Sequence, residues 1–555
     1  MGGMIRPTQK RMSLFVPLLT IVFFQASLFA IAQEDDLFNV AGKGNLPRVQ
    51  ALLANGMEVN AKSQNGGTAL VWAAYFGKSE VVQALLDKGA DINAEDNDGE
   101  TALFMASRQG YLDAVQTLLD KKAEIDARTK KGETALMWAS QEDHLEVVRM
   151  LLVKGAAINL QGNQGETALS LASQRGHFEV VRALIGAGSD VNLPDQEGWT
   201  ALTWASQQGY FDVVQALLAK KADVNVKGKN GVTALLMASA HGSHEIVSAL
   251  LGNGADINSK KDDGGTALMD ACAAYHPDVM RELLARGADV NARKNDGTTA
   301  LYCASTNGHL DVVQALLDKG AEINSQSNDG TTALMAASLN GRLDVVQFLV
   351  SKGADVNVQR SDGATALLAA SLGGHLDVVQ MLLAKGAKAN SRSSNGGTAL
   401  MMACQGGYTE VVRALLAAHA DVNARTSDQG TSPLMFASAN GNSDVLQALL
   451  NAKADVGAKK IDGATALIIA SQDGHIEVVR ALLADGAKID DTDASGQTAL
   501  MFASLMGHTD IVRALLAKGA NINARNNSGA TALSAATFGK HDEVRALLLQ
   551  AGAKP

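Results

Sequence analysis

Histidine and cysteine are the side chains of this chain best suited to proton transfer, nucleophilic attack or metal binding. The sequence contains 11 histidines and three cysteines. Eight of the histidines are separated by 33 residues, as His144 and His177 are, or by about a multiple of 33. They are His144, His177, His276, His309, His375, His475, His508 and His541. An active site does not need the same residue eight times along a chain, so the pattern indicates a structural position.

Two short motifs resemble ligand-binding loops but lack an essential member. Gly77-Lys78-Ser79 matches the end of a phosphate-binding loop, whose first glycine would be residue 72, which is Trp72. The segment from Asp491 to Gly496 matches the start of a calcium loop, whose twelfth position needs glutamate and holds Phe502. The HExxH, GxSxG and paired CxxC motifs are absent from the sequence. The sequence therefore predicts no catalytic residues, no metal and no cofactor.

Composition narrows the class of protein. The 555 residues include 48 Lys and Arg and 58 Asp and Glu, a formal net charge of −10. This balance argues against a nucleic-acid partner, because such a partner normally requires a basic surface. The hydrophobic fraction of 46% is that of a globular protein, while aromatics make up only 4%. Small, regular helical layers are expected rather than one large core.

The N-terminal residues are typical of a secretory signal peptide. Arg6, Lys10 and Arg11 precede a mostly apolar stretch from Leu14 to Leu28, and Ala30-Ile31-Ala32 follows. We expect residues 1–32 to be a signal peptide cleaved after Ala32, which leaves a periplasmic or secreted chain of net charge −13. The alternative is a retained membrane anchor, although the apolar stretch is short for a spanning helix.

A period of about 33 residues governs the rest of the chain. Thr-Ala-Leu begins at Thr68 and Thr101 and recurs at this constant spacing to Thr398; after one inserted residue, Ser432-Pro433-Leu434 continues a series of fifteen copies that ends at Thr531. Such a period indicates one solenoid of stacked units rather than several domains. We expect a degenerate N-terminal capping repeat at 33–62, repeats at 63–530 and a C-terminal capping repeat at 531–555.

Each copy is predicted to form a turn, a first helix, a second turn and a second helix, in that order. A glycine two residues before the threonine supplies a positive φ in the turn, and the threonine can cap the first helix. An alanine five residues after the threonine, followed by another small residue, allows neighbouring helices to approach closely. An acidic residue twelve positions after the threonine suits the N-terminus of the second helix, and Val-Val-x-Ala-Leu-Leu marks that helix's buried face.

These features resemble the ankyrin-repeat family, whose T-P-L-H-x-A signature is matched as Thr-Ala-Leu-x-x-Ala over residues 35–555. The motif proline is present only as Pro433, and the motif histidine is absent from every copy. Apolar packing is expected to replace the polar contact that this histidine often makes between repeats. The resemblance implies an all-α solenoid of about 16 helix-turn-helix repeats. It also implies a protein partner on the concave face, bound by the turn tips and the exposed ends of the first helices.

The three cysteines, Cys272, Cys303 and Cys404, all fall in first helices. An exported protein would favour disulfides. However, packed helices lie roughly 8–10 Å apart, whereas bridged cysteines have Cα atoms less than about 7 Å apart. The sequence therefore predicts buried free thiols.

The positions that the resemblance implicates in binding are richest in protruding side chains between residues 97 and 208. The candidate partner-binding residues are Arg108, Lys130, Lys131, Glu133, Glu142, Arg175, Glu197, Trp199, Gln207 and Gln208. Trp199 falls at a turn tip and is expected to be exposed, with packing as the alternative. Trp72, Trp138 and Trp204 lie four residues after the threonine in alternate copies, where half-buried packing is expected.

The sequence thus predicts a non-enzymatic, monomeric protein-binding scaffold, with no nucleic-acid partner and no membrane contact after cleavage. The alternative is a secreted effector that acts on another, host cell through the same mode of protein binding. An enzyme is disfavoured, because no segment outside the repeats remains to contain an active site.

Overall fold

The structure, a computed structural model, describes residues 36–554. Over that range it contains 32 α-helices, one three-residue 3-10 turn and isolated β-bridges, with no strand. Two short helices in each period of the sequence confirm the predicted all-α solenoid. The predicted signal peptide, residues 1–32, lies outside the described residues.

The described residues form two compact units. The first contains the residues up to Ala205 together with Asp212–Ala222, and the second contains Ser206–Phe211 together with the residues from Asp223 onward. The helices of the first unit are α1 (Leu37–Lys43), α2 (Leu46–Ala54), α3 (Ala69–Tyr75), α4 (Ser79–Asp87), α5 (Ala102–Gln109), α6 (Leu112–Asp120), α7 (Ala135–Gln141), α8 (Leu145–Val153), α9 (Ala168–Arg175) and α10 (Phe178–Gly186). Two helices contain residues of both units, α11 (Ala201–Gln208) and α12 (Phe211–Ala219).

The second unit repeats the same alternation. Its helices are α13 (Ala234–His241), α14 (His244–Gly252), α15 (Ala267–Ala274), α16 (Pro277–Ala285), α17 (Ala300–Asn307), α18 (Leu310–Asp318), α19 (Ala333–Leu339), α20 (Leu343–Ser351), α21 (Ala366–Gly373), α22 (Leu376–Ala384), α23 (Ala399–Gly406), α24 (Thr409–Ala417), α25 (Pro433–Ala439), α26 (Ser443–Asn451), α27 (Ala466–Asp473), α28 (Ile476–Ala484), α29 (Ala499–Met506), α30 (Thr509–Ala517), α31 (Ala532–Phe538) and α32 (Asp542–Gln550). Odd-numbered helices are the first helix of a repeat, and even-numbered helices are the second.

The repeated threonine caps the first helix, as predicted. Thr101 has an extended backbone, and its Oγ1 accepts the N–H of Phe104 at 3.2 Å. Ser432 does the same for α25, where its Oγ accepts the N–H of Met435 at 3.4 Å. The glycine two residues before the threonine has the expected positive φ, 79° at Gly99. These contacts satisfy a backbone donor at the helix start that would otherwise have no partner.

Small residues allow the first helices of neighbouring repeats to pack closely. Ala403 and Cys404 of α23 are completely buried, and α23 contacts both α21 and α25. Val412 and Leu415 of α24 are also completely buried and complete the core of that repeat. Each repeat therefore buries its apolar face only by stacking against its neighbours.

The cysteines are free thiols, as predicted. Cys272 and Cys404 are buried and Cys303 is half-buried. Burial raises the pKa of all three thiols above the ordinary value. A thiol that keeps its proton is a poor nucleophile, so these cysteines act as small apolar side chains.

A polar contact between repeats is present, but not at the position where the family signature has its histidine. His144 Nε2 lies 3.0 Å from the carbonyl oxygen of Arg108 in the preceding repeat. Five further histidines make the same contact with the residue 36 positions earlier, namely His177, His276, His375, His475 and His508. The expectation that apolar packing alone replaces the missing polar contact is therefore wrong, because imidazoles ten residues after the N-cap threonine supply one.

The same contact explains a glycine nine residues after the threonine. A Cβ atom on Gly110 would lie 2.5 Å from the His144 ring, and Gly110 has a φ of 76°. A larger residue would therefore clash with the imidazole and strain the backbone. The glycine ends the first helix and makes room for the neighbouring repeat's ring.

The turn that precedes a first helix is called its hairpin, and successive hairpins form a ladder of hydrogen bonds. The Lys130 N–H donates to the Asp98 carbonyl at 2.9 Å, and the Asn163 N–H donates to the Lys131 carbonyl at 2.8 Å. Because successive hairpins bond through equivalent backbone atoms, equivalent residues of successive repeats are placed side by side in rows. These rows of equivalent side chains on the first helices and hairpins form the surface on which the predicted binding residues lie.

Candidate partner-binding surface

Three equivalent carboxylates and three equivalent indoles dominate this surface in the first unit. Glu100, Glu133 and Glu166 each precede an N-cap threonine, and all three are half-buried. Trp72, Trp138 and Trp204 each lie four residues after a threonine, in alternate repeats, and are also half-buried. We call the hairpins and first helices over residues 96–205 the first-helix face.

Arg108 is held by two partners on this face. Its guanidinium carbon lies 4.3 Å from the centre of the Trp138 ring, and its Nη1 lies 3.5 Å from Oε1 of Glu100. Stacking on an indole and pairing with a carboxylate are the two contacts that a planar guanidinium makes best. Arg108 therefore joins two consecutive repeats of the face, rather than protruding freely as predicted.

Burial controls the protonation of the carboxylate beside Arg108. Removal from water raises the pKa of Glu100 to about 7, and the negative charge of Asp96 adds to this effect. The positive charge of Arg108 acts in the opposite direction. The pKa of Glu166 is also raised by burial, and there the carboxylates of Glu133 and Asp195 add to the effect. Burial thus favours the neutral form of these carboxyl groups, and a nearby cation offsets this effect because an opposite charge favours the ionised form.

The remaining predicted residues of the hairpins differ in exposure. Lys130 and Lys131 are exposed at a hairpin tip, and Glu197 is exposed at the corresponding hairpin two repeats later. Glu133 is half-buried, and its Oε2 lies 3.3 Å from the Thr129 hydroxyl. The two lysines and Glu197 are thus positioned to contact a partner directly, whereas Glu133 also supports its own hairpin.

At the ends of the first helices, Glu142 and Arg175 are exposed. Glu142 accepts a hydrogen bond of 3.2 Å from the Gln141 amide. Gln207 and Gln208 are half-buried and belong to the second unit. They are therefore not grouped with the residues of the first-helix face.

The prediction that Trp199 is exposed is wrong. Its side chain is only 9% exposed, and its ring centre lies 4.5 Å from that of Trp204, with the two planes tilted by 52°. Asp195 organises this pair, since its Oδ1 accepts the Trp199 N–H at 2.8 Å and its Oδ2 accepts the Trp204 indole N–H at 3.0 Å. The physical reason is that a large ring just before the N-cap lies against the residue four positions after it, and burial of both rings is favourable.

The sequence interpretation also missed Glu100 and Glu166 as members of the row that contains Glu133. The signal was available, because the three glutamates occupy the same position in three consecutive repeats. The pairing of Glu100 with Arg108 was less accessible, since it depends on side-chain directions that sequence spacing does not fix.

Elsewhere in the first unit, an open depression of about 430 Å³ lies between the second helices α10 and α12. Phe178, Ile185 and Ala216 line it together with Arg182 and Asp212. Within residues 36–554, no group of three or more His, Cys, Asp or Glu side chains is arranged to hold a metal ion. Over the same range, no helix is both long and apolar enough to cross a membrane.

Trp199→Ala should destabilise its own repeat, because it removes a buried ring that packs against Trp204. We expect a local loss of about 3 kcal/mol, as for other buried aromatic truncations. Hydrogen exchange of the Asp195–Thr200 amides measures this loss directly. Glu197→Ala, an exposed change in the same hairpin, is the control and should cost less than about 1 kcal/mol. Equal protection in the two variants would contradict the packing role of Trp199.

Comparison with known proteins agrees with the geometry of the repeats. The family model described as ankyrin repeats (3 copies) matches the chain in eleven overlapping segments that together run from residue 37 to residue 555. A comparison with curated proteins finds no match. Because the family model covers nearly the whole chain, the protein belongs to the ankyrin-repeat family.

Proposed function

We propose that this protein is an exported, non-enzymatic scaffold that binds a protein partner through the first-helix face. Its membership of the ankyrin-repeat family indicates a protein–protein interaction scaffold. The single observation that carries the finer proposal is that Arg108 links a half-buried carboxylate, Glu100, to a half-buried indole, Trp138, on this face. Tryptophan and arginine are enriched at the energetic centres of protein interfaces.

The composition of the face supports a protein as its ligand. Exposed charges of both signs surround the central row, with Lys130 and Lys131 at a hairpin tip and Glu142 and Arg175 at helix ends. Exposed charged residues of this kind are typical of the rim of a protein interface. Rows that continue from repeat to repeat suit an extended partner better than a small molecule, which usually needs an enclosed pocket.

The chemistry of the reactive side chains supports a non-enzymatic role. The thiols of Cys272 and Cys404 are buried with raised pKa values, which makes them poor nucleophiles. The recurring histidines bond to backbone carbonyls of neighbouring repeats, as His375 does to Leu339 at 3.0 Å. These groups therefore have structural roles that account for their presence.

Export is proposed from the basic, apolar and Ala30-Ile31-Ala32 segments of residues 1–32. Buried free thiols are compatible with an oxidising compartment, because a buried sulfur is protected from exchange. Intact-mass measurement of the protein purified from its native cells should find Gln33, or its cyclised form, at the N-terminus. A chain that begins at Met1 in a cytosolic fraction would contradict export.

Partner binding is tested with matched changes at one repeat position. Arg175→Ala removes an exposed charge eight residues after its N-cap threonine, in the first unit. It should leave thermal stability nearly unchanged and weaken the binding free energy of the partner by about 2 kcal/mol, which is typical of an interface hot spot. The measurement is the dissociation constant of the partner captured by the wild-type protein from its own envelope fraction.

The control is Asp473→Ala, which removes an exposed charge at the same repeat position in the second unit. It should leave the dissociation constant unchanged. If Asp473→Ala weakens binding while Arg175→Ala does not, the proposed face is on the wrong unit. If neither the wild-type protein nor its variants retain any protein, the scaffold proposal itself fails.

A further inference from the structure

Ion pairs join consecutive second helices in the first half of the first unit. Lys121 Nζ lies 2.9 Å from Oδ1 of Asp87, and Lys154 Nζ lies 2.7 Å from Oδ1 of Asp120. In each pair the lysine directly follows a second helix, and the aspartate is the last residue of the second helix one repeat earlier. These two positions, one carboxylate and one ammonium, form a row of paired charges on the second helices.

The pairs of this row end after α8. Val153 and Ala187 occupy the next pair of positions, where both charges are absent. Gly186 and Lys220 occupy the pair after that, so the lysine returns without the aspartate. Val153 is 85% exposed, and a Cβ atom on Gly186 would meet no heavy atom within 4 Å. An open, apolar stretch thus replaces the carboxylates of the row.

The structure places Gly186 and Lys220 together. Both line the open depression of about 430 Å³ between α10 and α12. Ile185, which is buried, and the half-buried Phe178 and Ala216 give the depression its apolar lining. An ammonium group, a position without its carboxylate and apolar side chains therefore share one concave surface.

The charge of Lys220 is not balanced by the protein. Lys220 is exposed, and among the described residues it makes no hydrogen bond or ion pair. Arg182 also lines the depression, but its Nη1 lies 3.0 Å from Oε1 of Glu179 within the same helix. Asp212 lines it from the first turn of α12, eight residues or roughly 12 Å before Lys220 along the helix axis. Asp212 therefore does not replace the missing carboxylate.

We propose that this depression is a second docking surface, which binds a polypeptide segment of a partner through a carboxylate and an aliphatic side chain. The carboxylate pairs with Lys220, as aspartate pairs with lysine at the two earlier steps of the row. The aliphatic side chain lies against Ile185 and Ala216. Because the surface belongs to second helices, it is separate from the first-helix face and adds to the proposed function.

A polypeptide suits this surface better than a free amphiphile such as a fatty acid. The depression is open, whereas small ligands usually bind in enclosed pockets. Exposed apolar surface also continues beyond it, because Val153 lies in the same row as Gly186 and Ala219. Neighbouring helices lie roughly 8–10 Å apart, so this row from α8 to α12 is about 20 Å long. An extended segment of about six residues covers that length.

The test uses two hexapeptides, Ser-Leu-Leu-Glu-Leu-Ser and the same peptide with glutamine in place of glutamate. Both have a neutral N-terminal fluorophore and an amidated C-terminus, and they are titrated into the full-length protein at about 0.15 M salt. Anisotropy gives the dissociation constants, and methyl NMR spectra report contact with Ile185 and Val153. The glutamate peptide should bind about fivefold more tightly, as one favourable surface ion pair allows. Equal affinities of the two peptides would overturn the proposal.

Gly186→Asp should restore the missing ion pair, because it gives Lys220 the carboxylate that Asp120 provides to Lys154. The glutamate peptide should then bind about fivefold more weakly and lose its advantage over the glutamine peptide. The matched control is Gly252→Asp, the same change at the same repeat position in the second unit, where an added Cβ also meets no atom within 4 Å. This control should change the affinity by less than about twofold. Equal weakening in both variants would show general charge repulsion and contradict the docking surface.

Lys220→Gln removes the ammonium group and should abolish the preference for glutamate, with an unchanged melting temperature. A preference that persists in this variant would place the peptide elsewhere and overturn the proposal. Laurate tests the other source of a carboxylate with an apolar chain. If laurate shifts the Ile185 methyl signals and neither peptide does, the depression binds a free amphiphile and the proposal of a polypeptide is wrong.

Discussion

The hydrogen bonds between consecutive repeats fix the register on which the rest of the structure depends. Hairpin bonds such as Lys130 N–H to the Asp98 carbonyl join consecutive repeats, and imidazole contacts such as His144 to the Arg108 carbonyl add to them where a repeat has the histidine. Because the hairpin bonds use equivalent backbone atoms in successive repeats, a shift of one residue would break them. As a result, residues that are one period apart in the sequence lie side by side and form rows of equivalent side chains.

This register separates structural from functional positions within one repeat. The rows of alanine and leucine must match their neighbours to pack, so they hold nearly the same residue in every copy. The rows just before the threonine, and four and seven residues after it, are mostly half-buried or exposed and can vary. In the first unit these rows bring Glu100, Arg108 and Trp138 together, although Trp138 belongs to a different repeat from the other two. A binding surface can therefore change residue by residue without disturbing the core.

Sequence reasoning predicted the parts of the structure that depend on local chemistry. The period, the threonine caps and the buried free thiols follow from residue types at fixed spacing. Sequence reasoning did not predict the burial of Trp199 or the stacking of Arg108 on Trp138. Both depend on the directions in which long side chains extend toward another element. The polar contact between repeats was also missed, since the recurring histidines bond to backbone carbonyls that carry no sequence signal. Local propensity thus specified the scaffold, whereas side-chain packing between repeats determined the site.

The central claim is that the register of the repeats brings side chains of different repeats into contact, and a crystal structure of the protein tests it most directly. The guanidinium carbon of Arg108 should lie close to 4.3 Å from the centre of the Trp138 ring, and its Nη1 close to 3.5 Å from Oε1 of Glu100. An Arg108 side chain that instead extends into solvent, away from both residues, would contradict the account.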